Sequence, residues 1–504
     1  MRRRATKATI VALVAWTWAA STQAQAAGTS GAIAILDITV PSTGGAGADG
    51  VRGQFIPLDT ADDDLEGTLR LFLNHATPLK SDGTPDLRLI RKTPAALSNV
   101  AISMHRRGAS SKAFPKKSYA LEFDSTQAPF LEAGRDWVLH SCYADATCLR
   151  NVVAYWQASQ LFPWAPRTEF AEVFINGYYR GLFVVIEKIK LAPNRVNLPE
   201  PTDSRPSGGY ILERKWGVAD IDVAGGSGNT FWELAAPKKK NLTLTQLNYI
   251  TQFMNAFERR FNPGMIPDYD AANYGRYLHE QSAVDFIIAQ ELSRNVDGYH
   301  KSMHITKQPS PVIVPGPSPK QPPDLTVERG WDGLVHMGPV WDFDLAYGNF
   351  RDGGYSVCDP DGGWRIEQHP EVVYQPLWET WKQPAFRRAL SERWRALRQN
   401  ATISRSGTET QIDALASRIA AARGRDNWVW KNLEAIDIIR GAFLVNPAAS
   451  VPTPWPLWEC RDYNSPTTFK AEIDRLKQFA RARINWMDAA IADPQFLTPS
   501  HQLP

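Results

Sequence analysis

Two hydrophobic periodicities divide the chain near Leu234, and this division constrains the fold more than any other feature. Before that point, apolar and polar residues alternate over short segments such as 116–124, which is the pattern of half-buried strands. After it, apolar residues recur every three or four positions, as in helices. The sequence therefore predicts an α+β protein in which a mainly antiparallel sheet precedes a helical region. Helices are predicted over 242–261, 274–294, 384–400, 408–432 and 468–492.

The sheet region contains one predicted helix and one predicted hairpin. Residues 148–162 have apolar side chains at helical spacing and stop before Pro163, so a helix is expected there. The apolar runs 170–175 and 180–187 are joined by Asn-Gly at 176–177. This dipeptide favours a tight hairpin because both turn positions need positive φ. A further strand is predicted over 209–214.

The first 26 residues have the parts of a secretory signal peptide. Arginines at positions 2–4 precede an apolar stretch from Ala8 to Ala20, and small residues follow up to Ala26. The apolar stretch is too short to span a bilayer comfortably, and an uncleaved anchor is the alternative. We expect cleavage near Ala26, export to the periplasm or the extracellular medium, and no membrane span in the mature chain.

The composition fits an exported protein and gives no case for nucleic-acid binding. With 56 basic and 53 acidic residues, the charges nearly balance, whereas nucleic-acid-binding proteins carry a basic patch. The four cysteines are an even number for an oxidising location, which predicts disulfides, and Cys142 and Cys148 are close enough to close a short loop. A zinc site is the alternative, but no histidine stands at ligand spacing beside these cysteines.

Beyond the leader, the sequence predicts three parts. Residues 27–95 form an N-terminal extension with edge strands, one of them over 34–40. Residues 96–240 form the sheet lobe and residues 241–495 the helical lobe. The proline-dense segment 308–323 cannot be helical, so we expect an exposed, extended insertion in the helical lobe.

Three aspartates of the helical lobe have positions suited to chemistry. Asp297 follows the predicted helix 274–294 and enters a turn, where a carboxylate can accept a proton from a substrate hydroxyl. Asp342 and Asp344 follow an apolar, strand-like approach. In an extended segment their carboxylates would point to opposite faces, so both reach one ion only if the chain turns at Phe343. Each aspartate taken alone fits a helix cap or a turn equally well.

The order of these features is that of a phosphate-transferring enzyme. Phosphoryl transfer needs positive groups along the phosphates, carboxylates that hold Mg²⁺, and an acceptor that orients the incoming hydroxyl. A basic strand, a helix and a hairpin precede Asp-x-x-x-x-Ser and Asp-Phe-Asp. Protein kinases place a strand lysine, a helix, a linker, Asp-x-x-x-x-Asn and Asp-Phe-Gly in the same order.

Eight stretches between residues 101 and 349 carry a more specific resemblance. They are Arg107-Gly-Ala-Ser-Ser, Pro115-Lys-Lys-Ser-Tyr, Leu149-Arg-Asn-Val-Val-Ala-Tyr, Ala165-Pro-Arg-Thr-Glu, Phe174-Ile-Asn-Gly-Tyr-Tyr-Arg-Gly-Leu, Ile186-Glu-Lys-Ile, Asn295-Val-Asp-Gly-Tyr and Pro339-Val-Trp-Asp-Phe-Asp-Leu-Ala-Tyr-Gly-Asn. In this order the chain resembles the CotH kinase-like family, an atypical branch of the kinase fold named for spore coat protein H. The resemblance implies an atypical protein-kinase-like two-lobed fold, ATP with Mg²⁺ or Mn²⁺ as cofactors, and a protein substrate phosphorylated on Ser or Thr hydroxyls.

The resemblance also implies roles for individual residues. Asp297 is the expected catalytic aspartate, Asp342 binds metal and Asp344 assists it. Either Lys116 or Lys117 contacts the phosphates, and Lys116 is preferred, since strand alternation directs only one of them toward the nucleotide.

Further nucleotide-binding candidates lie in a loop, a helix and a hairpin. The loop over the phosphates contains Arg107, Gly108, Ser110 and Ser111, where backbone amides and the glycine allow close approach. Glu187 ends the second hairpin strand; it marks the linker that meets the base, pairs with a basic residue or is a surface carboxylate. Arg150 is that partner, lies around the metal site or is an arginine on the helix surface.

Ser302 departs from the family pattern. An asparagine usually stands five residues after the catalytic aspartate, and in kinases it holds a second Mg²⁺. Either Ser302 or a water takes the place of this asparagine, or the activity is reduced. His300 and His304 are alternative ligands for a softer metal. The leading interpretation is an exported kinase that transfers phosphate from ATP to protein hydroxyls. The alternative is a kinase-like binding or surface-assembly protein with weak or no catalysis.

Overall fold

The computed structural model describes most of the chain between residues 33 and 497. The described ranges are 33–41, 63–75, 77–81, 83–127, 133–216, 220–221, 230–264, 269–310, 312–314, 324–326, 331–352, 355–399, 403–430, 433 and 467–497. The predicted signal peptide and its cleavage near Ala26 lie outside them. Within these ranges, no helix has both the length and the apolar character that crossing a bilayer requires.

Seven strands of the sheet region close into a barrel. They are β1 (Ile33–Thr39), β2 (Leu65–His75), β3 (Leu97–Arg107), β4 (Ser118–Gln127), β5 (Gly134–His140), β6 (Thr168–Ile175) and β7 (Tyr178–Glu187), in the order β1-β2-β3-β4-β5-β7-β6. The pairing of β1 with β6 is parallel and closes the barrel; the other neighbours are antiparallel. The α+β class is confirmed, but the main sheet is a closed barrel and not an open antiparallel sheet.

The prediction that the run 34–40 is an edge strand is wrong. β1 lies between β2 and β6, and its residues Leu36 and Ile38 belong to the barrel core. Ile35, on its other face, packs against Ile90 of the short helix α1 (Leu87–Ile90). A strand buried on both faces has a nearly continuous apolar run, which the sequence of β1 shows. The barrel combines strands that precede residue 95, the predicted end of the N-terminal extension, with strands that follow it. The predicted domain boundaries themselves stay predictions.

The local predictions for the sheet region agree with the structure. Asn176 and Gly177 have φ angles of 52° and 83° and join β6 to β7 in a tight hairpin. The predicted helix 148–162 is present as α2 (Arg150–Ala158), which is shorter at both ends. Cys142 and Cys148 form a disulfide in the loop between β5 and α2, as predicted, and Cys358 is disulfide-bonded as well.

A second sheet connects the two halves of the chain. Its strands, in the order β13-β10-β8-β9, are antiparallel and comprise β8 (Tyr210–Trp216), β9 (Thr230–Ala236), β10 (Met303–Lys307) and β13 (Val335–Met337). Between β10 and β13, the strand β11 (Val312–Val314) of the proline-rich insertion pairs with β12 (Asp324–Thr326), which directly follows the insertion. A further short pair is β14 (Arg351–Asp352) and β15 (Tyr355–Ser356).

The second half of the chain is mainly helical, as predicted. Its helices are α3 (Leu244–Arg259), α4 (Glu280–Ser293), α5 (Arg365–Gln368), α6 (Gln375–Trp381), α7 (Pro384–Arg398), α8 (Arg405–Trp430) and α9 (Phe469–Ala492). Only 280–293 of the predicted helix 274–294 is α-helical, and a 3₁₀ segment over 271–276 precedes it. α4 is buried on almost all sides, between α7, α9 and β13, which gives its C-terminal end a fixed position. α8 packs against β7 and so joins the helical half to the barrel.

Candidate active site

Asp297 lies in a tight turn just beyond α4. The helix ends at Arg294, whose left-handed backbone (φ 46°) redirects the chain. The carbonyl oxygen of Asp297 accepts hydrogen bonds from the backbone N–H groups of His300 and Lys301 at 3.1 and 3.0 Å. The Asp297 residue is only 9% exposed, and its Oδ1 lies 3.1 Å from Lys301 Nζ. A rigid helix and a closed turn therefore hold this carboxylate in one place.

The surroundings of Asp297 make its carboxylate a stronger proton acceptor than an exposed one. Burial raises the pKa of Asp297 above its ordinary value, Lys301 lowers it in part, and the negative charge of Asp342 raises it further. A general base becomes more effective as its pKa approaches the working pH. The direction of the shift therefore suits proton abstraction.

The second sheet brings Ser302 to Asp342. β10 begins directly after Ser302, and β13 runs antiparallel to it, with Ile305 opposite Met337. The start of β10 consequently lies beside the segment that leads from β13 to Asp342. Ser302 Oγ donates a hydrogen bond to Asp342 Oδ2 at 3.1 Å. The serine that departs from the family pattern thus contacts the carboxylate predicted to bind metal.

Asp342 and Asp344 come together because the chain turns directly after Asp342, where the Phe343 carbonyl oxygen accepts the Ala346 N–H at 3.1 Å. Asp342 has a φ of 68°, in the left-handed region, one residue before the turn expected at Phe343. The Asp342 carboxylate lies close enough to the Asp344 carboxyl group to act on it electrostatically. Burial, followed by the charge of Asp342, raises the pKa of Asp344 well above its ordinary value. The two side chains therefore share one location, as binding of a single ion requires.

Two asparagines hold the aspartate segments together. Asn295 is fully buried; its Nδ2 donates to the Asp342 carbonyl oxygen at 3.0 Å, and its Oδ1 accepts the Asp297 N–H at 3.3 Å. Asn151 of α2 accepts the Phe343 N–H on its Oδ1 at 2.8 Å. Sequence reasoning assigned no role to either residue. In the sequence, Asn295 stands two residues before Asp297 and Asn151 stands beside Arg150. Neither position shows which group the asparagine side chain hydrogen-bonds.

The side chains of both candidate lysines are occupied by protein groups. Lys116 is completely buried, and its Nζ donates to Asp426 Oδ1 on α8 at 2.7 Å and to the Leu182 carbonyl oxygen. Burial lowers the pKa of Lys116 to about 8, although Asp426 opposes the shift. Lys117 Nζ donates to the carbonyl oxygens of Lys112 and Phe114 at 2.8 and 2.6 Å. Lys117 therefore supports the loop before it, whereas Lys116 points inward.

The loop after β3 reaches the Asp342 segment through Arg107. The Arg107 guanidinium lies 5.6 Å from the ring centroid of Trp341, the residue before Asp342. Gly108 has a φ of 113°, and a Cβ at this position would collide with the Ser111 hydroxyl. Ser110–Ala113 forms a 3₁₀ turn directly after it. Only glycine allows the loop to close on itself in this way.

Glu187 and Arg150 do not pair with each other. Glu187 at the end of β7 is held by Arg167, whose Nε and Nη2 donate to its two carboxylate oxygens at 2.8 Å each. Arg150 instead pairs with Asp145, and its Nε donates to the Ala346 carbonyl oxygen at 3.1 Å. Of the roles left open for Arg150, pairing with Glu187 and a place on the helix surface are therefore wrong, since Arg150 is 1% exposed. Arg150 lies beside the turn that follows Asp344.

The two loop histidines face different carboxylates. His300 Nε2 lies 3.9 Å from Asp297 Oδ1, while His304 Nε2 lies 3.9 Å from Glu213 on β8. Burial lowers the pKa of His300 to about 3, so this imidazole is neutral at physiological pH. His300 and His304 therefore lie near different carboxylates.

Most of the chain matches the model of a known protein family. The family model described as CotH kinase protein matches residues 104–487. The chain belongs to the CotH kinase family. The matched region begins in β3, ends in α9 and includes Asp297, Ser302 and Asp342, so the resemblance predicted from the sequence is confirmed. A comparison with curated proteins finds no match for this CotH chain.

Membership of the CotH family suggests a kinase-like function, and kinases use divalent metal together with ATP. The donor set of this CotH chain fits such an ion. Asp342, Asp344 and Ser302 offer carboxylate and hydroxyl oxygens, which are the ligands that Mg²⁺ and Mn²⁺ prefer. The negative charge of Asp342 raises the pKa of Asp344, so a cation bound between the two would favour the ionised form of Asp344.

Proposed function

We propose that this CotH-family protein is an exported kinase that transfers phosphate from ATP to Ser or Thr hydroxyls of a protein. The observation that carries the proposal is the meeting of Asp297, Asp342 and Asp344 in one site, where Asp297 is buried beside the charge of Asp342 and Ser302 is hydrogen-bonded to Asp342. Export rests on the predicted leader and is supported by the disulfide between Cys142 and Cys148. The barrel and the helical half act as the two lobes of an atypical kinase fold.

In this proposal Asp297 accepts the proton of the substrate hydroxyl. Its carboxylate is held by the turn at 297–301, and Lys301 at 3.1 Å fixes one of its oxygens. Asp342 and Asp344, with Ser302 beside them, hold Mg²⁺ or Mn²⁺, which supplies positive charge to the phosphates when bound. Asn295 keeps the distance between the proton acceptor and the metal-binding carboxylates constant, since it contacts both segments.

The positive groups of the proposed phosphate site come from the barrel. The loop with Arg107, Gly108, Ser110 and Ser111 covers the phosphates. Lys116 lies buried beneath this loop and contributes positive charge to the site, and Asp426 holds it in place by an ion pair at 2.7 Å. Protein kinases hold their strand lysine in a comparable way, through a glutamate of a helix. Glu187, fixed by Arg167, marks the linker by which the chain leaves the barrel.

A second candidate function is that of a kinase-like binding or surface-assembly protein with weak or no catalysis. The observation that favours it is Ser302. A serine hydroxyl reaches less far than an asparagine amide and already donates to Asp342. The alternative therefore predicts nucleotide binding without phosphate transfer.

Phosphate transfer and ligand binding, measured on the same protein, test the proposal. Wild-type protein incubated with γ-labelled ATP, Mg²⁺ or Mn²⁺ and a Ser-rich acceptor should transfer label. Mg²⁺ with ATP should also stabilise the fold by about 2.7 kcal/mol at a concentration of 100 times Kd. Asp342→Asn should lose this stabilisation but fold normally, since asparagine tolerates the positive φ at this position.

The possible outcomes separate the two functions. Stabilisation by Mg²⁺ and ATP without transfer of label supports the binding function. Equal stabilisation of the wild type and Asp342→Asn removes Asp342 from the metal site. The absence of both stabilisation and transfer contradicts both functions.

Ser302 is expected to contribute modestly to ion binding. Ser302→Ala removes a candidate oxygen ligand and the hydroxyl that orients Asp342, so the apparent affinity for Mg²⁺ with ATP should fall about fivefold, equivalent to about 1 kcal/mol. Ser302→Asn is the matched variant, because asparagine tolerates the φ of 53° and offers an amide oxygen as a ligand. Titration calorimetry should show Ser302→Asn binding at least as tightly as the wild type. An unchanged affinity in Ser302→Ala would exclude a role for the hydroxyl.

A further inference from the structure

A second group of potential metal ligands lies away from the candidate active site, where α4 begins. His279 immediately precedes α4, Asp332 lies in the approach to β13, and His336 is the central residue of β13. One ligand atom from each side chain lies within 4.8 Å of the other two. Among the described residues, this is the group of three that meets the spacing of a metal site.

The three side chains are already close to one another. The imidazole rings of His279 and His336 stack with their centroids 4.0 Å apart and their planes 2° from parallel. His336 Nε2 lies 2.9 and 3.1 Å from the two carboxylate oxygens of Asp332. Adjacent ligands of a tetrahedral ion lie at similar separations, because each is about 2 Å from the metal. The His336 and Asp332 side chains are 22% and 32% exposed, so an ion can reach them from solvent.

The ligand types select the kind of ion. Two imidazoles and one carboxylate are the ligands of zinc and of neighbouring transition metals, whereas Mg²⁺ and Ca²⁺ prefer oxygen alone. This site therefore differs in chemistry from the oxygen-rich group around Asp342. Three protein ligands leave a fourth position for water.

Binding would exchange existing hydrogen bonds for metal contacts. His279 Nδ1 accepts the Ser282 N–H at 3.2 Å, which caps α4, and Asp332 Oδ1 also accepts the Leu334 N–H at 2.9 Å. The rings must also turn out of their parallel stack, since a metal lies in the plane of each coordinating imidazole. Both adjustments are rotations of partly exposed side chains.

We propose that His279, Asp332 and His336 form a binding site for one transition-metal ion of the Zn²⁺ type. The ion joins the start of α4 to β13. These two elements lead to Asp297 and to Asp342 respectively, so the ion fixes the frame from which both aspartate segments extend. The inference does not depend on phosphate transfer, because it concerns a different set of ligands.

Metal binding by the full chain tests the site. Protein freed of metal with EDTA is titrated with Zn²⁺ in excess Mg²⁺, which occupies oxygen-rich sites, and with Co²⁺, whose visible absorption reports coordination. The wild type should bind one ion with a rise in Tm. Asp332→Asn and His336→Gln should each weaken Zn²⁺ binding by about tenfold or more and abolish the Co²⁺ absorption. Each variant is compared with the wild type in EDTA, where an unchanged Tm shows that the fold is intact.

His105→Gln supplies the matched control. His105 forms a similar pair with Asp64, at 2.7 Å, without belonging to a group of three ligands in the described part of the chain. Its substitution should leave Zn²⁺ affinity unchanged. Equal Zn²⁺ binding by the wild type, Asp332→Asn and His336→Gln would overturn the proposal, as would the absence of any Zn²⁺-dependent rise in Tm.

Discussion

Asp297→Asn is expected to lower the rate of phosphate transfer by about 10²- to 10⁴-fold, the range that general bases contribute. The amide has the shape of the carboxylate but cannot accept the hydroxyl proton. The carboxylates of Asp342 and Asp344, which we propose as metal ligands, are untouched, so stabilisation by Mg²⁺ with ATP should persist. Single-turnover transfer of label from saturating ATP measures the chemical step separately from binding.

Asp285→Asn is the matched control for this substitution. Asp285 is also buried, but it lies within α4 and pairs with Arg393 at 2.8 Å. Its replacement should lower stability without changing the rate of transfer per folded molecule. A rate that survives in Asp297→Asn would remove Asp297 from the catalytic role. A loss of transfer of the same size in both variants would show that damage to α4, and not loss of the base, is the cause.

The aspartate site was largely accessible from sequence because its members lie in short, ordered motifs. Asp297, Asp342 and Asp344 were found by their spacing and chain order. A turn was expected at Phe343, and the Phe343 carbonyl oxygen accepts the Ala346 N–H at 3.1 Å. The positive φ of Asp342 was not foreseen, since a pattern of apolar residues does not show which residue takes such a backbone. Aspartate is among the residues that tolerate such a backbone, which was the signal for Asp342 itself.

Closure of the barrel could not be predicted from the sequence in the same way. Alternation of polar and apolar residues identifies a strand and its buried face, but it does not identify the neighbour. The closing contact joins Ala34 of β1 to Ala171 of β6, far apart in the chain. The nearly continuous apolar run of β1 was the local sign of burial on both faces, and it argued against an edge position.

The partners of buried charges were also inaccessible from local sequence. Lys116 was preferred over Lys117 by strand alternation, but its counterion Asp426 follows 310 positions later. Neither residue's neighbours in the sequence point to the other. Only the packing of α8 against β7 brings the two side chains together.

The Asp426 carboxylate is a centre of buried polar contacts, and its loss should destabilise the protein. Its Oδ1 accepts from Lys116 Nζ at 2.7 Å and from the Leu182 N–H at 3.0 Å. Its Oδ2 lies 3.2 Å from Arg423, another completely buried cation. Gly181 makes room for this carboxylate, because a Cβ there would collide with Oδ1.

Asp426→Ala is accordingly expected to lower the free energy of unfolding by about 3 to 5 kcal/mol, the cost of leaving a buried charge without its partner. Asp413→Ala, which breaks the exposed pair with Lys477, should cost less than about 1 kcal/mol. Urea denaturation of both variants measures the difference. If Asp426→Ala cost no more than the surface control, the Lys116 pair would contribute little to the fold.

Asp426→Asn separates charge from shape, since it preserves the acceptor for Leu182 while removing the counterion of Lys116. Its cost should therefore fall between those of the two alanine variants, and a loss of stabilisation by Mg²⁺ with ATP in Asp426→Asn would connect the position of Lys116 to the phosphates.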